Sequence, residues 1–315
     1  MRAVVIDDGA LTWSERPDPE PGRGELLVAV RAAGVNGADL LQRRGLYPPP
    51  PGAPADIPGM EFAGEVVGVG AGVVHHGLGD RVFGIVGGGG QAELVTVDQE
   101  VALAVPDGID WPEAGGFPEV FFTAYDALVA QAGLAAGERV LVTGAAGGVG
   151  TAGVQLAAAA GAHVVASARS ADADAALRGL GAAEVVRPDG AADAGPYDVV
   201  LELVGASSLA PVIRSLATGA RVVVIGVGGG GATLELNLLE LMGRRARLGG
   251  STLRNRSTAE KAELARAVHD RVVPLLATGK VRVPVAATFP LARATEAYER
   301  FAAGGKVGKV VLVGG

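Results

Sequence analysis

The sequence predicts an α/β chain in which a doubly wound parallel sheet follows a β-rich N-terminal part. Three observations carry this. From about Glu119 onward, short apolar strand candidates alternate with helical stretches, the pattern of βαβ units and so of a parallel sheet. One glycine-rich loop, GAAGGVG at residues 144 to 150, stands between a strand candidate and a helix candidate, the context in which such a loop holds a dinucleotide. Residues 1 to about 118 read instead as short strands parted by glycine and proline, which suggests a small barrel or sandwich.

In order, the first part offers strands at Ala3 to Ile6, Glu25 to Ala32, Phe62 to Gly70, Asp80 to Val86, Ala92 to Val97 and Val101 to Val105. Between the second and third, Ala38 to Arg44 reads as one short helix, Gly45 ends it, and the proline run after Tyr47 makes a stiff loop. Val120 to Ala130 has helical spacing. Val140 to Val142 is a buried strand, Val149 to about Ala160 an alanine-rich helix stopped by Gly161, and His163 to Ser167 a second strand. Further strand and helix candidates alternate at Glu184 to Arg187, Val199 to Leu203, Leu209 to Leu216, Arg221 to Ile225 and Ala246 to Gly250. A helix from about Thr258 to Thr278, a strand near Arg282, a helix from Leu291 to Ala303 and a closing strand from Lys309 to Val313 complete the chain. The expected division is residues 1–118, completed by about 280–315, and a dinucleotide-binding domain of the Rossmann type over 119–279.

The loop matches G-x-G-x-x-G at two of three glycines, with Ala145 first, Gly147 second and Gly150 third. Gly147 lets the backbone approach a pyrophosphate, Gly150 lets the helix pack on the strand, and the helix N-terminus offers N–H donors. No charge occurs from Val140 to Ala168, a length that would also span a bilayer. Its glycines, its small alanines and the interruptions at Gln155 and His163 favour a buried cofactor core. After the second strand, Ser167, Arg169 and Ser170 stand where an NAD enzyme places a carboxylate on the ribose. A cation and two hydroxyls suit a 2′-phosphate, so NADPH is expected.

Composition narrows the classes further. A net charge of −7 argues against nucleic acid, no Lys/Arg cluster points to a membrane surface, and the absence of cysteine removes disulfide and thiolate chemistry. The N-terminus, MRAVVIDDGA, puts two aspartates where a signal peptide needs a longer apolar run, and a cytoplasmic protein is expected. His75 and His76 are adjacent and lack the i, i+4 spacing of a helical metal pair; His163 and His269 read as structural. Glu61 and Glu65 alternate onto one strand face, which allows a carboxylate dyad but fits barrel structure better. With no nucleophile elbow, metalloprotease helix or Walker loop, hydride transfer is left.

Together, AAGVNGADLLQRRGLYPPPPG (32 to 52), PGMEFAGEVVGVG (58 to 70), GDRVFG (79 to 84), FPEVFFTAYDAL (117 to 128), AAGGVG (145 to 150), VVVIG (222 to 226), GGSTLR (249 to 254) and GKVVLV (308 to 313) give the chain a resemblance to a family. It resembles the zinc-independent medium-chain dehydrogenases/reductases of the quinone oxidoreductase type, similar to zeta-crystallin. The resemblance implies an N-terminal GroES-like β-barrel catalytic domain, a Rossmann domain, a cleft between them and a homodimer. It implies Asn36, Tyr47 and Thr123 at the nicotinamide end, Ala146, Gly147, Gly148 and Val149 at the pyrophosphate, Ser170 at the 2′-phosphate, and Gly226, Ser251, Thr252 and Leu253 along the nicotinamide. The chain departs from the family at Ala173, near where a lysine is common, and at Pro188, where a tyrosine is common; Arg169 stands for the usual glycine.

Zinc-dependent relatives use Cys near the position of Asn36 and His near that of Met60, so no metal is expected. Reducing an aldehyde develops an alkoxide, whose conjugate acid is about as weak as water at ~15.7, and a Lewis acid helps greatly there. A quinone develops a phenolate-like oxyanion of pKa ~10, which neutral hydrogen bonds from Tyr47 and Asn36 stabilise. The expected activity is hydride transfer from NADPH to a quinone. The alternatives are an enone or enoyl reductase and a low-turnover NADPH-binding structural or sensor protein.

Overall fold

The structure is a computed structural model and describes residues 1–314. It opens with the antiparallel pair β1 (Arg2–Asp7) and β2 (Ala10–Glu15). Asp8 and Gly9 both take positive φ, 43° and 77°, the Asp-Gly hairpin turn whose twist matches the flanking strands. The elements then run β3 (Glu25–Val35), α1 (Gly37–Arg43), β4 (Glu61–Val69), β5 (Arg81–Ile85), β6 (Leu94–Asp98), β7 (Leu103–Ala104), α2 (Trp111–Gly116) and α3 (Pro118–Tyr125), which continues as a π-helix over Asp126–Gln131. Next come β8 (Arg139–Val142), α4 (Gly148–Ala159), β9 (His163–Ser167), α5 (Asp174–Gly179), β10 (Glu184–Val186), β11 (Tyr197–Glu202), α6 (Ala206–Val212), β12 (Leu216–Val224), α7 (Leu238–Arg244) and β13 (Arg247–Gly250). The chain ends with α8 (Thr258–Arg271), α9 (Val273–Ala277), β14 (Val285–Pro290), α10 (Ala294–Ala302) and β15 (Lys309–Val313).

Two compact units result. The first holds Met1–Phe122, Leu253–Gly304 and residues 309–314; the second holds Thr123–Thr252 and Gly305–Gly308. Residues 253–279, expected with the dinucleotide domain, pack with the first unit, where α8 buries Ala262, Leu264, Ala265 and Val268.

The first unit is a seven-stranded sheet in the order β14-β15-β3-β4-β5-β7, with β6 also on β3. The eleven-residue β3 takes β15, β4 and β6 in antiparallel register, so the closing strand is laid against Ala32 to Val35, directly before Asn36. The second unit is a parallel sheet in the order β10-β9-β8-β11-β12-β13. Numbered from β8 this is 3-2-1-4-5-6, the doubly wound Rossmann order, with the chain reversing direction between β8 and β11. Strands here are buried on both faces: Val140, Leu141 and Val142 are all fully covered.

Two sequence expectations are corrected. The helix expected over Thr258 to Thr278 breaks after Arg271, and a new short helix starts at Val273 with Pro274 in its first turn, where the missing N–H would have interrupted the old one. The strand expected near Arg282 lies at Val285–Pro290, on β15. Among the described residues no helix is long and apolar enough to cross a membrane; the uncharged stretch from Val140 to Ala168 holds a strand, a helix and a strand.

Candidate active site

In the second unit, β8 ends at Val142 and the glycine loop turns at once into α4. Gly144 takes φ of 56°, open to glycine at little cost. Gly147 is the N-cap of α4, no side chain caps the helix, and no acidic residue stands in its first turn. A Cβ on Gly147 would meet only the Gly144 carbonyl, at 3.3 Å, so the glycine leaves an open surface beside the helix N-terminus. A Cβ on Gly150 would lie 2.5 Å from the Gly144 oxygen and 2.6 Å from the Ala145 Cα, so here glycine serves close packing. Donors, positive dipole and open approach fit a pyrophosphate. The loop is fixed by Ala145 N–H donating to Ser167 O at 3.0 Å and Gly308 N–H donating to Ala146 O at 2.9 Å.

Beside the loop, at the point where strand order reverses, Glu202 is fully buried at the end of β11. Its Oε1 accepts from Thr143 Oγ1 at 2.9 Å and from the Val204 and Gly205 N–H groups at 2.7 and 2.8 Å, while Leu203 N–H donates to Thr143 Oγ1. This ties the ends of β8 and β11 together. Gly226 follows β12, and a Cβ there would lie 2.6 Å from Leu203 O. Ser251 N–H donates to Val224 O, and its hydroxyl lies 2.8 Å from Asp126 Oδ2. Thr123 is buried at the start of the unit.

At the end of β9, Ser167 is buried, whereas Arg169 and Ser170, which follow it, are exposed. Ser170 accepts from Asp172 N–H and donates to the Asp172 carboxylate, capping a short turn. Arg187 donates to Ala168 O at 2.8 Å and pairs with Asp174. A second cation therefore touches the turn that bears Arg169. Ala173 is buried.

In the first unit, Asn36 joins β3 to α1. Its Oδ1 accepts from Lys309 Nζ at 2.7 Å and its Nδ2 donates to Glu61 Oε1 at 2.8 Å. Lysine only donates, which fixes the amide's orientation. Lys309 and Glu61 are themselves a buried ion pair, 2.6 Å apart, with side chains 3% and 0% exposed. Glu61 Oε2 accepts the Glu119 N–H at 2.8 Å. Asp39, wholly buried in the first turn of α1, accepts from Asn36 N–H at 2.8 Å and Gly59 N–H at 3.2 Å, with Gln91 at 3.4 Å; Gln91 takes the Tyr298 hydroxyl at 2.8 Å. Burial pushes Asp39 up to about 6 against the pull of the Asn36 N–H and of Lys309. Glu119 is pushed up to about 8, first by burial and then by the Glu61 charge.

Tyr47 is held by Arg254. That guanidinium donates to Tyr47 O and Gly87 O, each at 2.8 Å, and to Gln42 Oε1 at 2.6 Å, with its carbon 5.1 Å from the centre of the Tyr47 ring. Lys261 donates to Arg254 O at 3.0 Å. Leu253, next to Arg254, is buried. Glu65, by contrast, pairs with Arg31 across a half-exposed surface and takes no part in the cluster. Among the described residues no group of three or more His, Cys, Asp or Glu is arranged to hold a metal ion.

Comparison with known proteins decides the family. Residues 22–107 match the alcohol dehydrogenase GroES-like domain and residues 160–312 the zinc-binding dehydrogenase family. A quinone oxidoreductase of Rattus norvegicus is 31% identical over 307 residues, 94% of this chain and 91% of that one. The chain belongs to the zinc-independent quinone oxidoreductase family of medium-chain dehydrogenases/reductases. A quinone oxidoreductase from Thermus thermophilus, solved also in complex with NADPH, superposes with a TM-score of 0.86 at 34% identity, covering 99% of this chain and all of that one. The polyketide synthase GfsB of Streptomyces halstedii is 42% identical over 208 residues, 64% of this chain but only 4% of that synthase. The fold is thus the family's: a GroES-like N-terminal domain and a nicotinamide-dinucleotide-binding Rossmann sheet. Members of this family are oxidoreductases.

Sequence reasoning misses several residues around these centres. Thr143 and Glu202 sit on different strands with no shared motif. Glu61 shows only Glu65 as a neighbour in the sequence pattern, because its true partner is far away at Lys309. A lysine opening the otherwise apolar strand KVVLV is the available signal. Arg187 lies beside the more conspicuous Pro188, and Arg254 has no assigned role inside GGSTLR.

Proposed function

We propose that the chain is an NADPH-dependent quinone reductase. The observation that carries the reading is the uncapped, glycine-lined helix N-terminus at the reversal point of a 3-2-1-4-5-6 sheet. When bound, NADPH supplies the hydride. Ala146, Gly147, Gly148 and Val149 hold its pyrophosphate. Arg169 and Ser170, with Ser167 behind them, take the 2′-phosphate. Thr123, Gly226, Ser251 and Thr252 border the nicotinamide.

Asn36 and Tyr47 face the acceptor. Asn36 is held rigid at both ends of its amide, by Lys309 and Glu61, and keeps one Nδ2 hydrogen in weak contact with Gly34 O at 3.5 Å. Tyr47, held through its carbonyl by Arg254, donates to the oxygen on which charge develops. The acceptor class is supported by full-length relatives named quinone oxidoreductase.

An enone or enoyl reductase is the second reading, favoured by the match to part of a polyketide synthase. Turnover of a quinone panel against an enone panel, with NADPH and with NADH, separates the two. Tyr47→Phe sharpens the test, lowering quinone turnover within about tenfold, ~1.4 kcal/mol, and enone turnover further. Equal losses on both acceptors would remove the donor role. NADPH binding with no oxidation by any acceptor would favour a binding protein of low turnover.

A homodimer is part of the proposal. In the second unit β13 is an edge strand exposed along its length, and Leu238, Leu239 and Met242 of α7 are 65%, 76% and 69% exposed. A second copy pairing along this edge covers both. Sedimentation equilibrium reads the mass, and a monomer at micromolar concentration would remove this element.

A further inference from the structure

One acidic side chain in the first unit has no role in the reading above. Glu119 lies in the first turn of α3, where its backbone N–H is spent on Glu61 Oε2. Its own carboxyl makes no hydrogen bond among the described residues, and the residue is only partly buried. Around it stand Glu61 on β4, Lys309 on β15 and Asp39 on α1, on the Asn36 side. Lys261 on α8 and Arg254, both tied to the Tyr47 loop, stand on the other. The carboxyl is therefore within electrostatic reach of both groups expected to meet the acceptor.

Charge balance says what it carries. Lys309 neutralises Glu61 through a direct contact. Asp39 accepts two backbone N–H groups, which favour its anion. Among the described residues Glu119 has neither a cation in contact nor a donor, and its burial, with the Glu61 charge added to it, favours the neutral acid and pushes the carboxyl up to about 8. A neutral pH therefore leaves a proton on the carboxyl of a partly exposed residue, which donates it to no described residue.

We propose that Glu119 is the general acid of the reduction, giving its proton to the acceptor as hydride is added. The proposal rests on the reductase reading. For an enone, hydride from the dihydronicotinamide forms the new bond at the β-carbon and the π pair moves toward the carbonyl. The Glu119 O–H bond then breaks, and its proton goes to the α-carbon, giving the saturated ketone and oxidised cofactor. For a quinone the proton goes to the hydroquinone oxyanion. The carboxylate left behind regains its proton from water, so one NADPH and one proton are consumed per acceptor.

Glu119→Gln keeps the shape of the neutral acid without its acidic proton, and Glu119→Asp keeps the acid. Measured over pH 6 to about 9.5, wild-type enone turnover is expected to fall as pH rises through about 8. Glu119→Gln is expected to lose that limb and about a hundredfold in kcat at pH 7, with partial rescue in Glu119→Asp and unchanged NADPH affinity by nicotinamide fluorescence. A carbonyl band of a protonated carboxyl in the infrared difference between wild type and Glu119→Gln at pH 7 reads the proton independently of turnover. Active wild type with a Glu119→Gln variant within about twofold at every pH overturns the general acid and leaves the reductase standing. So does absence of the infrared band. A wild type that reduces no acceptor overturns both.

Discussion

The two units meet negative charge in opposite ways. The glycine loop of the second unit offers no charged side chain: its means are backbone N–H groups, a helix dipole and glycines that leave room. The cluster around Asn36 in the first unit is built from side chains, with three carboxyls and one ammonium packed largely out of water. A backbone cradle has no protonation state to lose, so it suits a ligand that must be held equally well at any pH. Buried ionisable groups are expensive, but only they can exchange a proton. In the proposed function the difference divides binding from chemistry, and each side can be broken separately.

The largest effect is expected in the charged cluster. Lys309→Met leaves Glu61 buried with no cation and should cost ~3–5 kcal/mol of stability. Adding Glu61→Leu removes the stranded charge and should recover most of the loss. Denaturant unfolding of the wild type, the single and the double variant measures it; a single variant within about 1 kcal/mol of wild type would mean the pair is not the keystone of the cluster. In the cradle the effect moves from stability to affinity. At Gly147 φ is −74° and a Cβ meets only one atom at 3.3 Å, so Gly147→Val should fold near-normally yet lose NADPH binding. Gly150→Val drives its Cβ into the Gly144 oxygen and the Ala145 backbone and should fail in stability first. Fluorescence titration beside thermal melting separates them, and an affinity for Gly147→Val within about threefold of wild type would move the cofactor elsewhere.

How much of this could be read in the sequence follows the same division. The cradle is local: strand, glycine loop, helix and second strand lie within residues 139–167, and their spacing alone marks the βαβ unit. The cluster is not. Glu61 and Lys309 are 248 positions apart, and only the antiparallel register of β15 on β3 brings the lysine to Asn36. Likewise the Thr143 to Glu202 tie depends on β8 and β11 becoming neighbours across the reversal point. The hairpin partner β2 is hard to see although its Asp-Gly turn is visible, because ALTWSE has few strongly apolar residues and stays half-exposed. The helix break at Val272 is signalled by Pro274, and a long amphipathic pattern masks it.

A smaller effect tests the side-chain charge at the proposed 2′-phosphate site. Arg169 is exposed and Arg187 reaches the same turn, but Arg187 is paired with Asp174 and Ser170 with Asp172. On the proposed function, Arg169 therefore carries most of any preference for the 2′-phosphate. A charge-assisted hydrogen bond of about 1.5 to 3 kcal/mol should give tighter NADPH than NADH, and Arg169→Glu should narrow or invert the ratio. Equal affinities in the wild type would mean that the acidic neighbours cancel the arginine.

The smallest effect expected is thermodynamic and returns to the charged cluster. Glu119 has a folded pKa of about 8 against an ordinary value of 4.5, and Asp39 about 6 against 3.8. Between each pair of values the folded chain binds more protons than the unfolded chain, so stability must fall as pH rises. Their contribution is complete below about 4 and is lost progressively up to about 8. This runs opposite to the behaviour of carboxylates in surface ion pairs such as Glu138 with Arg221, whose pKa is lowered by that arginine and whose contribution is lost in acid. Glu119→Gln removes the titration while keeping the neutral shape, so its stability relative to wild type should grow between pH 6 and 9, by on the order of 1 kcal/mol. Denaturant midpoints of both proteins across that range read the difference. A constant offset would mean that Glu119 is already ionised in the folded chain at pH 6, which would take the proton away from the general acid as well.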